Sequence, residues 1–272
     1  MKKLLVPTDF SDNALSALLF ALELAPVLQA NLEVVHVYEL PASEDPALRK
    51  TVSKWMHSFV EKARKKASAS AAGVSIETSL IEGLTEPQLI QQSYRKEIDM
   101  MILGAEGAGG IGKKWFGSVA ETVARQAQCP VLLIPEGQAF SGFRQILFAS
   151  DYQAAEPSVL DLLTGFAPVF HASIHFVHVE KAGEDSEYAR IEQRILDYLF
   201  RNGTPSFSFQ MTCLHAGDIE SGLEDYAVQN EIDLLVMVAT QRSFWETLFH
   251  HSHTKEMILR LKLPLMVVHL KD

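Results

Sequence analysis

The sequence predicts an α/β protein built as two repeated five-stranded, parallel-sheet α/β sandwich domains. Three observations carry that prediction. The first is internal repetition. "LLVPTDFS" (Leu4–Ser11) resembles "ILFASDYQ" (Ile146–Gln153), which aligns Asp9 with Asp151 at a shift of 142. At that shift Ala25–Val37 and Ala167–Val179 are identical at seven of thirteen positions, and at a shift of 134 "EIDMMILGAEG" (Glu97–Gly107) matches "EIDLLVMVATQ" (Glu231–Gln241). The endings "CPVLLIPE" and "LPLMVVHL" keep the second shift, so the second copy is eight residues shorter between its second and third strands. The second observation is the alternation of short apolar runs with longer helical patterns, which implies parallel strands joined by crossover helices. The third is that runs such as "MMIL" and "DLLVMV" are apolar throughout, as central strands covered on both faces must be.

In the first copy the expected strands are Lys3–Val6, Leu32–Tyr38, Val74–Leu80, Asp99–Leu103 and Val131–Ile134. Helical patterns fill Asp12–Gln29, a long segment from Pro46 to Ala72, Glu86–Lys96 and Ser118–Gln128. The junction "EGQAFSGFR" (Glu136–Arg144) is polar with two glycines and reads as the linker, giving domains 1–138 and 142–272. Such sheets bind ligands beyond the carboxyl ends of their strands, where the winding direction reverses. There "PTDFSD" after the first strand should meet the glycine-rich loop after the fourth.

Composition narrows the function. At 47% hydrophobic and 21% charged residues the chain has material for packed cores. A formal charge of −10 argues against a nucleic-acid partner, which calls for a basic surface. Cys129 and Cys213 cannot build a disulfide framework and read as small buried residues of a reducing compartment. The most apolar long segment, "ALSALLFALELAPVL", contains Glu23 and Pro26 and reads as a buried helix, so no membrane partner is expected. The opening "MKKLLVPTDF" has too short an apolar run for a signal peptide, and a cytoplasmic location is expected.

"GAEGAGGIGKKWFGSVAETV" (Gly104–Val123) holds six glycines. Gly107 to Gly112 fits GxGxxG by letter, but five residues separate it from the helix start and it follows the fourth strand rather than the first. Gly107–Lys114 nearly fits the phosphate-loop pattern, with Lys114 standing where a hydroxyl is needed. A wider spacing, Gly104-x2-Gly107-x9-Gly117-Ser118, fits better. Gly104 lies at a strand end, and Ser118-Val-Ala-Glu121 reads as a capping box whose helix end favours an anion. The residues alone leave two readings open: a polyphosphate site, or an N-cap preceded by loop.

"VPTDFSDNA", the glycine loop and "CPVLLIP" together resemble the universal stress protein family in its tandem two-domain form, over essentially the whole chain. The resemblance implies an adenine nucleotide alpha hydrolase-like fold and an ATP site in the first domain. It assigns Asp9 to the nucleoside, Pro7 and Thr8 to the turn beside it, and Val37 to the adenine pocket. Gly104, Gly107, Gly117, Ser118 and Val119 would contact ribose and phosphates. Glu106 departs from the family pattern; a carboxylate there repels phosphate unless it turns outward or binds a bridging Mg2+, and Lys113 and Lys114 could offset it.

In the second copy Gly104, Gly107 and Gly117 become Val238, Gln241 and His251, and Ser252 alone persists opposite Ser118. ATP binding of the same kind should fail there. His250, His251 and His253 are candidate metal ligands, although HHSH lacks the i,i+4 spacing that places two ligands on one helix face. Phe244, Trp245, Leu248 and Phe249 would fill the vacated space or form an interface. His36 and His178, at equivalent strand ends, read as structural. The expected function is that of an ATP-binding stress-response or regulatory protein with one competent and one degenerate domain. The resemblance and the repeat further imply an intrachain pseudo-dimer through Val131–Ile134 and Leu265–Val268, read by an unidentified protein partner, and leave open whether two chains assemble further as a homodimer. The competing class is a slow ATPase, or a metal-dependent hydrolase using the second-half histidines.

Overall fold

In each half of the chain a parallel sheet forms around a strand that is apolar on both faces. The computed structural model describes residues 2–38, 46–105, 117–149, 156–181, 188–217, 219–239 and 263–270. The chain divides into two compact units, Met1–Phe140 and Ser141–Asp272.

The first unit runs β1 (Lys2–Pro7), α1 (Asp12–Leu28), β2 (Ala30–Tyr38), α2 (Pro46–Lys66), a 3-10 turn (Ala69–Ala71), β3 (Ile76–Glu82), α3 (Thr85–Ser93), β4 (Met100–Gly104), α4 (Ser118–Gln126) and β5 (Val131–Ile134). Its strand order is β3-β2-β1-β4-β5. The pairs are parallel, with Leu4 beside Leu32 and Met100, and Gly104 beside Ile134. Winding therefore proceeds one way from β1 to β3 and reverses at β4, which opens the crevice between β1 and β4. Leu4, Leu5 and Val6 are fully buried, because α1 and its neighbours cover both faces of this strand. Leu18 and Leu22 of α1 are wholly buried as well, each worth about 1.5–3 kcal/mol of apolar transfer.

Two elements depart from their expected bounds. The long helix ends at Lys66 rather than Ala72, because Glu23 of α1 captures the Ser68 amide at 2.6 Å and its hydroxyl at 2.5 Å. That amide is lost to the helical ladder. The third strand lies two residues later than expected. It is the edge strand of the unit and only half-buried, so its apolar signal is weak.

The second unit repeats the order: β6 (Gln145–Ala149), α5 (Pro157–Phe170), β7 (Ser173–Lys181), α6 (Tyr188–Phe200), β8 (Ser208–Ala216), α7 (Ile219–Gln229), β9 (Leu234–Ala239) and β10 (Leu265–His269). Its strands lie β10-β9-β6-β7-β8, and its described pairs are parallel. The repetition reaches backbone detail. Gln29 and His171 both close their helices at φ 53°, each three residues after a proline. The junction, expected to be polar, carries two aromatic anchors. Phe140 packs on Phe20 of the first unit, and Phe143 on Phe166 and Phe170 of the second. Gly137 (φ 74°) and Gly142 (φ 95°) supply the left-handed turns around them.

At the amino end of the strands, away from the crevice, the two units differ. In the first, buried Glu33 accepts two bonds from Arg95 at 3.0 Å and one from Ser79 at 2.9 Å, with Lys3 at 3.6 Å. Burial would raise its carboxyl, but the guanidinium and hydroxyl outweigh it and hold the pKa below the usual value. In the second, His175 takes the place of Glu33. Its Nε2–H donates to Gln145 at 2.7 Å, while its Nδ1 faces Tyr226 at 3.0 Å and Gln210 at 2.6 Å. Burial pushes the His175 pKa down, so an ion cluster has been exchanged for a neutral network.

No described helix is long and apolar enough to cross a membrane.

Candidate functional site

The turn leaving β1 is built by short-range hydrogen bonds. The Thr8 amide donates to Val35 of β2 at 2.8 Å, and Thr8 Oγ1 accepts from Phe10 at 2.9 Å. Asp9 Oδ1 accepts from the Ser11 amide at 3.0 Å, closing an Asx turn. Ser11 then caps α1 by accepting from Ala14 at 3.1 Å. Asp9 is therefore not the helix cap, and it stands exposed at the mouth of the crevice. Pro7 is half-buried, while Thr8 and Val37 are buried.

Phe10, between these residues, has φ 65°. An aromatic residue in the left-handed region costs about 1–2 kcal/mol. Its ring is held 4.4 Å from His36 and 5.6 Å from Phe59. His36 Nδ1 lies 2.7 Å from the Thr8 carbonyl, which can only accept, so the Nδ1 proton is present and donates. Packing and this bond hold a strained turn whose consequence is the placement of Asp9.

On the other side of the crevice, Gly104 ends β4. A Cβ there would lie 2.6 Å from Asn13 Cγ, so the space left by the missing side chain is occupied by Asn13 of α1. That contact brings the start of α1 onto the end of β4, and with it the two sequence segments expected to converge. The Ala105 amide donates to Ile134 at 2.8 Å, and its carbonyl accepts from the Gly117 amide at 3.1 Å. The two ends of the glycine loop are thus tied together. The expected capping box does not form. Gly117 is the N-cap with no side-chain cap bond, and Ser118 is the first helical residue with an exposed side chain. Glu121 donates its amide to the Gly117 carbonyl at 3.0 Å. The amides of Ser118, half-buried Val119 and Ala120 have no acceptor within α4, which makes this helix end a donor set for an anion.

Gly107, Glu106, Lys113 and Lys114 lie outside the described residues, as do Asp151, Gln241, His250, His251 and His253. Sequence reasoning missed Phe10 and Asn13. The second carried a signal, because the repeat converts Asn13 and Gly104 together into Ala155 and Val238. A groove of about 500 Å3 between α2 and β3, lined by Arg49, His57, Glu61, Arg64, Thr78 and Leu80, includes none of the expected site residues. Neither cysteine is a nucleophile at neutral pH without further activation. Burial pushes Cys129 up to about 12, and burial with Glu180 nearby pushes Cys213 up to about 11.

Comparison with known proteins bears on the family and the fold. Residues 1–135 match the profile of the universal stress protein family. A universal stress protein of Methanocaldococcus jannaschii is 31% identical over 141 residues, covering 49% of this chain and 81% of its own. One from Synechocystis is 24% identical over 291 residues, covering 98% of this chain and 99% of its own. Among solved structures, a universal stress protein from Archaeoglobus fulgidus aligns with a TM-score of 0.70 at 19% identity, over 99% of this chain and 97% of that one. The chain belongs to the universal stress protein family.

Proposed function

We propose that the first unit binds ATP in the crevice between β1 and β4, and that the protein acts in the cytoplasm as a nucleotide-responsive regulatory protein of the stress response. The observation that carries this reading is the Asn13–Gly104 contact, which sets an exposed carboxylate and an uncapped helix start at one crevice mouth. Asp9 is suited to accept from nucleoside hydroxyls or the adenine amino group, with Val37 beside the base. The amides of Ser118 and Val119, together with Gly104, Gly107 and Gly117, suit a polyphosphate. The Gly117 amide itself is taken by Ala105, so its part is to let phosphate approach the backbone. Mg2+ would offset Glu106.

In the second unit Val238 stands buried where Gly104 would be, which supports a degenerate site. Pairing of the units through Val131–Ile134 and Leu265–Val268 rests on the repeat, and an unidentified protein partner would read nucleotide occupancy. Calorimetric titration with ATP and Mg2+ tests the reading. Saturable binding of one ATP per chain is expected, with loss in Gly117→Val; absence of binding at millimolar ATP would overturn it.

A further inference from the structure

We propose that the second unit carries a zinc site on the face shared by β7 and β8, formed by His178, Glu180, Cys213 and His215. The argument begins with register. Residues two apart on a strand share a face, and in a parallel pair registered neighbours lie side by side. His178 is registered with Cys213 and Glu180 with His215, so four metal-binding side chains form a quadrilateral at the carboxyl ends of two adjacent strands. The same face is apolar further back, where Ile174 faces Phe209 and Phe176 faces Met211. Helix α6 covers it, with Phe200 packed on Phe209 and Tyr188 stacked on His178.

Three of the four donors are already mutually close. Ligand atoms of Glu180, Cys213 and His215 all lie within 4.8 Å of one another. His178 Nε2 is 3.9 Å from Glu180 Oε1, and His215 Nδ1 is 3.8 Å from Glu180 Oε2. Tetrahedral zinc, with bonds of about 2.0–2.3 Å, would draw in Glu180, Cys213 and His215, with His178 turning from Glu180 to complete the set. Glu180 is buried and His215 is exposed, so the site has a fixed floor and an open side for entry. A thiolate with imidazoles favours zinc over magnesium or calcium. On binding, the sulfur–hydrogen bond of Cys213 is replaced by a sulfur–zinc bond and the proton leaves to solvent.

The set is not a general consequence of the fold. In the first unit the registered positions are His36 with Leu80 and Tyr38 with Glu82, and His36 donates to the Thr8 carbonyl. His178 would thus gain a role beyond the structural one expected of both repeat histidines, and the set uses none of His250, His251 and His253. Zinc here would clamp β8, the edge strand of its unit, to β7.

The test uses untagged, full-length protein stripped with a chelator. Zn2+ is titrated in competition with a chromogenic chelator, and Co2+ binding is followed by absorption. One metal per chain is expected, with a thiolate-to-cobalt charge-transfer band. Cys213→Ser and Cys213→Ala, each checked for native far-UV circular dichroism, should abolish the band and weaken zinc binding by more than about a hundredfold. The triple variant His250→Ala, His251→Ala, His253→Ala should keep both. No saturable zinc binding, no thiolate band in the wild-type protein, or binding lost in the triple variant but retained in Cys213→Ser would each overturn the proposal.

Discussion

Residue by residue, the crevice depends on pairs rather than on single letters. Gly104 is small because Asn13 fills the space above it, so Gly104→Val should force one of them to move and cost about 1–3 kcal/mol. The second unit carries Ala155 with Val238, and the double variant Asn13→Ala, Gly104→Val should recover much of that loss. Chemical denaturation of the two singles and the double gives the coupling; strictly additive losses would show that the contact is not what fixes the glycine. Ser118 makes the complementary case. As a first-turn residue that caps nothing, its change to Ala should alter stability by less than about 0.5 kcal/mol, where loss of a true N-cap costs about 1. What the change removes is an exposed hydroxyl beside the open amides of the helix start, so its effect should fall on ATP affinity instead, read by the same calorimetry.

Among the elements, what was legible in the sequence followed from strong local signals. Continuous apolar runs locate β1, β4 and β5 to within about two residues, and the repeat implies the same order of elements in the second unit. Weak or long-range signals explain the rest. Edge strand β3 slid because a half-buried strand has little alternation to read. The N-cap lies one residue before the expected Ser118, and no capping box forms, because Gly117 is pinned to Ala105, a tertiary bond that no local pattern reports. Register supplied the neighbours of His178 and Glu180, which 35 residues of chain separate from Cys213 and His215. Glu33 and Arg95, 62 residues apart, are likewise invisible as a pair. That pair, with Lys3 and Ser79, ties β1, β2 and β3 to the segment entering β4. Glu33→Gln should therefore lower stability at neutral pH by about 1–3 kcal/mol, since it leaves Arg95 without its charge-assisted bonds. The difference from the wild type should vanish as pH falls through the depressed Glu33 pKa, because the wild-type carboxyl is then protonated too. A gap that persists at that acidity would assign the loss to packing.

For the whole molecule, two copies of one fold held by different chemistry should respond differently to acid. His175 has its folded pKa below the ordinary 6.5, so the unfolded chain binds its proton first. Its contribution is present above that ordinary value and is lost as pH falls through it toward the depressed one. The groups that hold it, Gln145, Gln210 and Tyr226, bear no charge near neutrality and cannot compensate an imidazolium. Glu33 has its folded pKa below the ordinary 4.5, so the first unit keeps its contribution until pH drops below that value. Between these windows, near pH 5.5, the second unit should already have weakened while the cluster on Glu33 remains intact. Hydrogen exchange read by mass spectrometry separates peptides of Met1–Phe140 from those of Ser141–Asp272. Protection should fall first around β6, β7 and α7 and only at lower pH around β1 and β2. His175→Gln, which keeps hydrogen bonding but cannot titrate, should flatten the first step and leave the second unchanged. Equal loss in both units at pH 5.5, or a first step unaltered in His175→Gln, would place the acid sensitivity elsewhere in the chain.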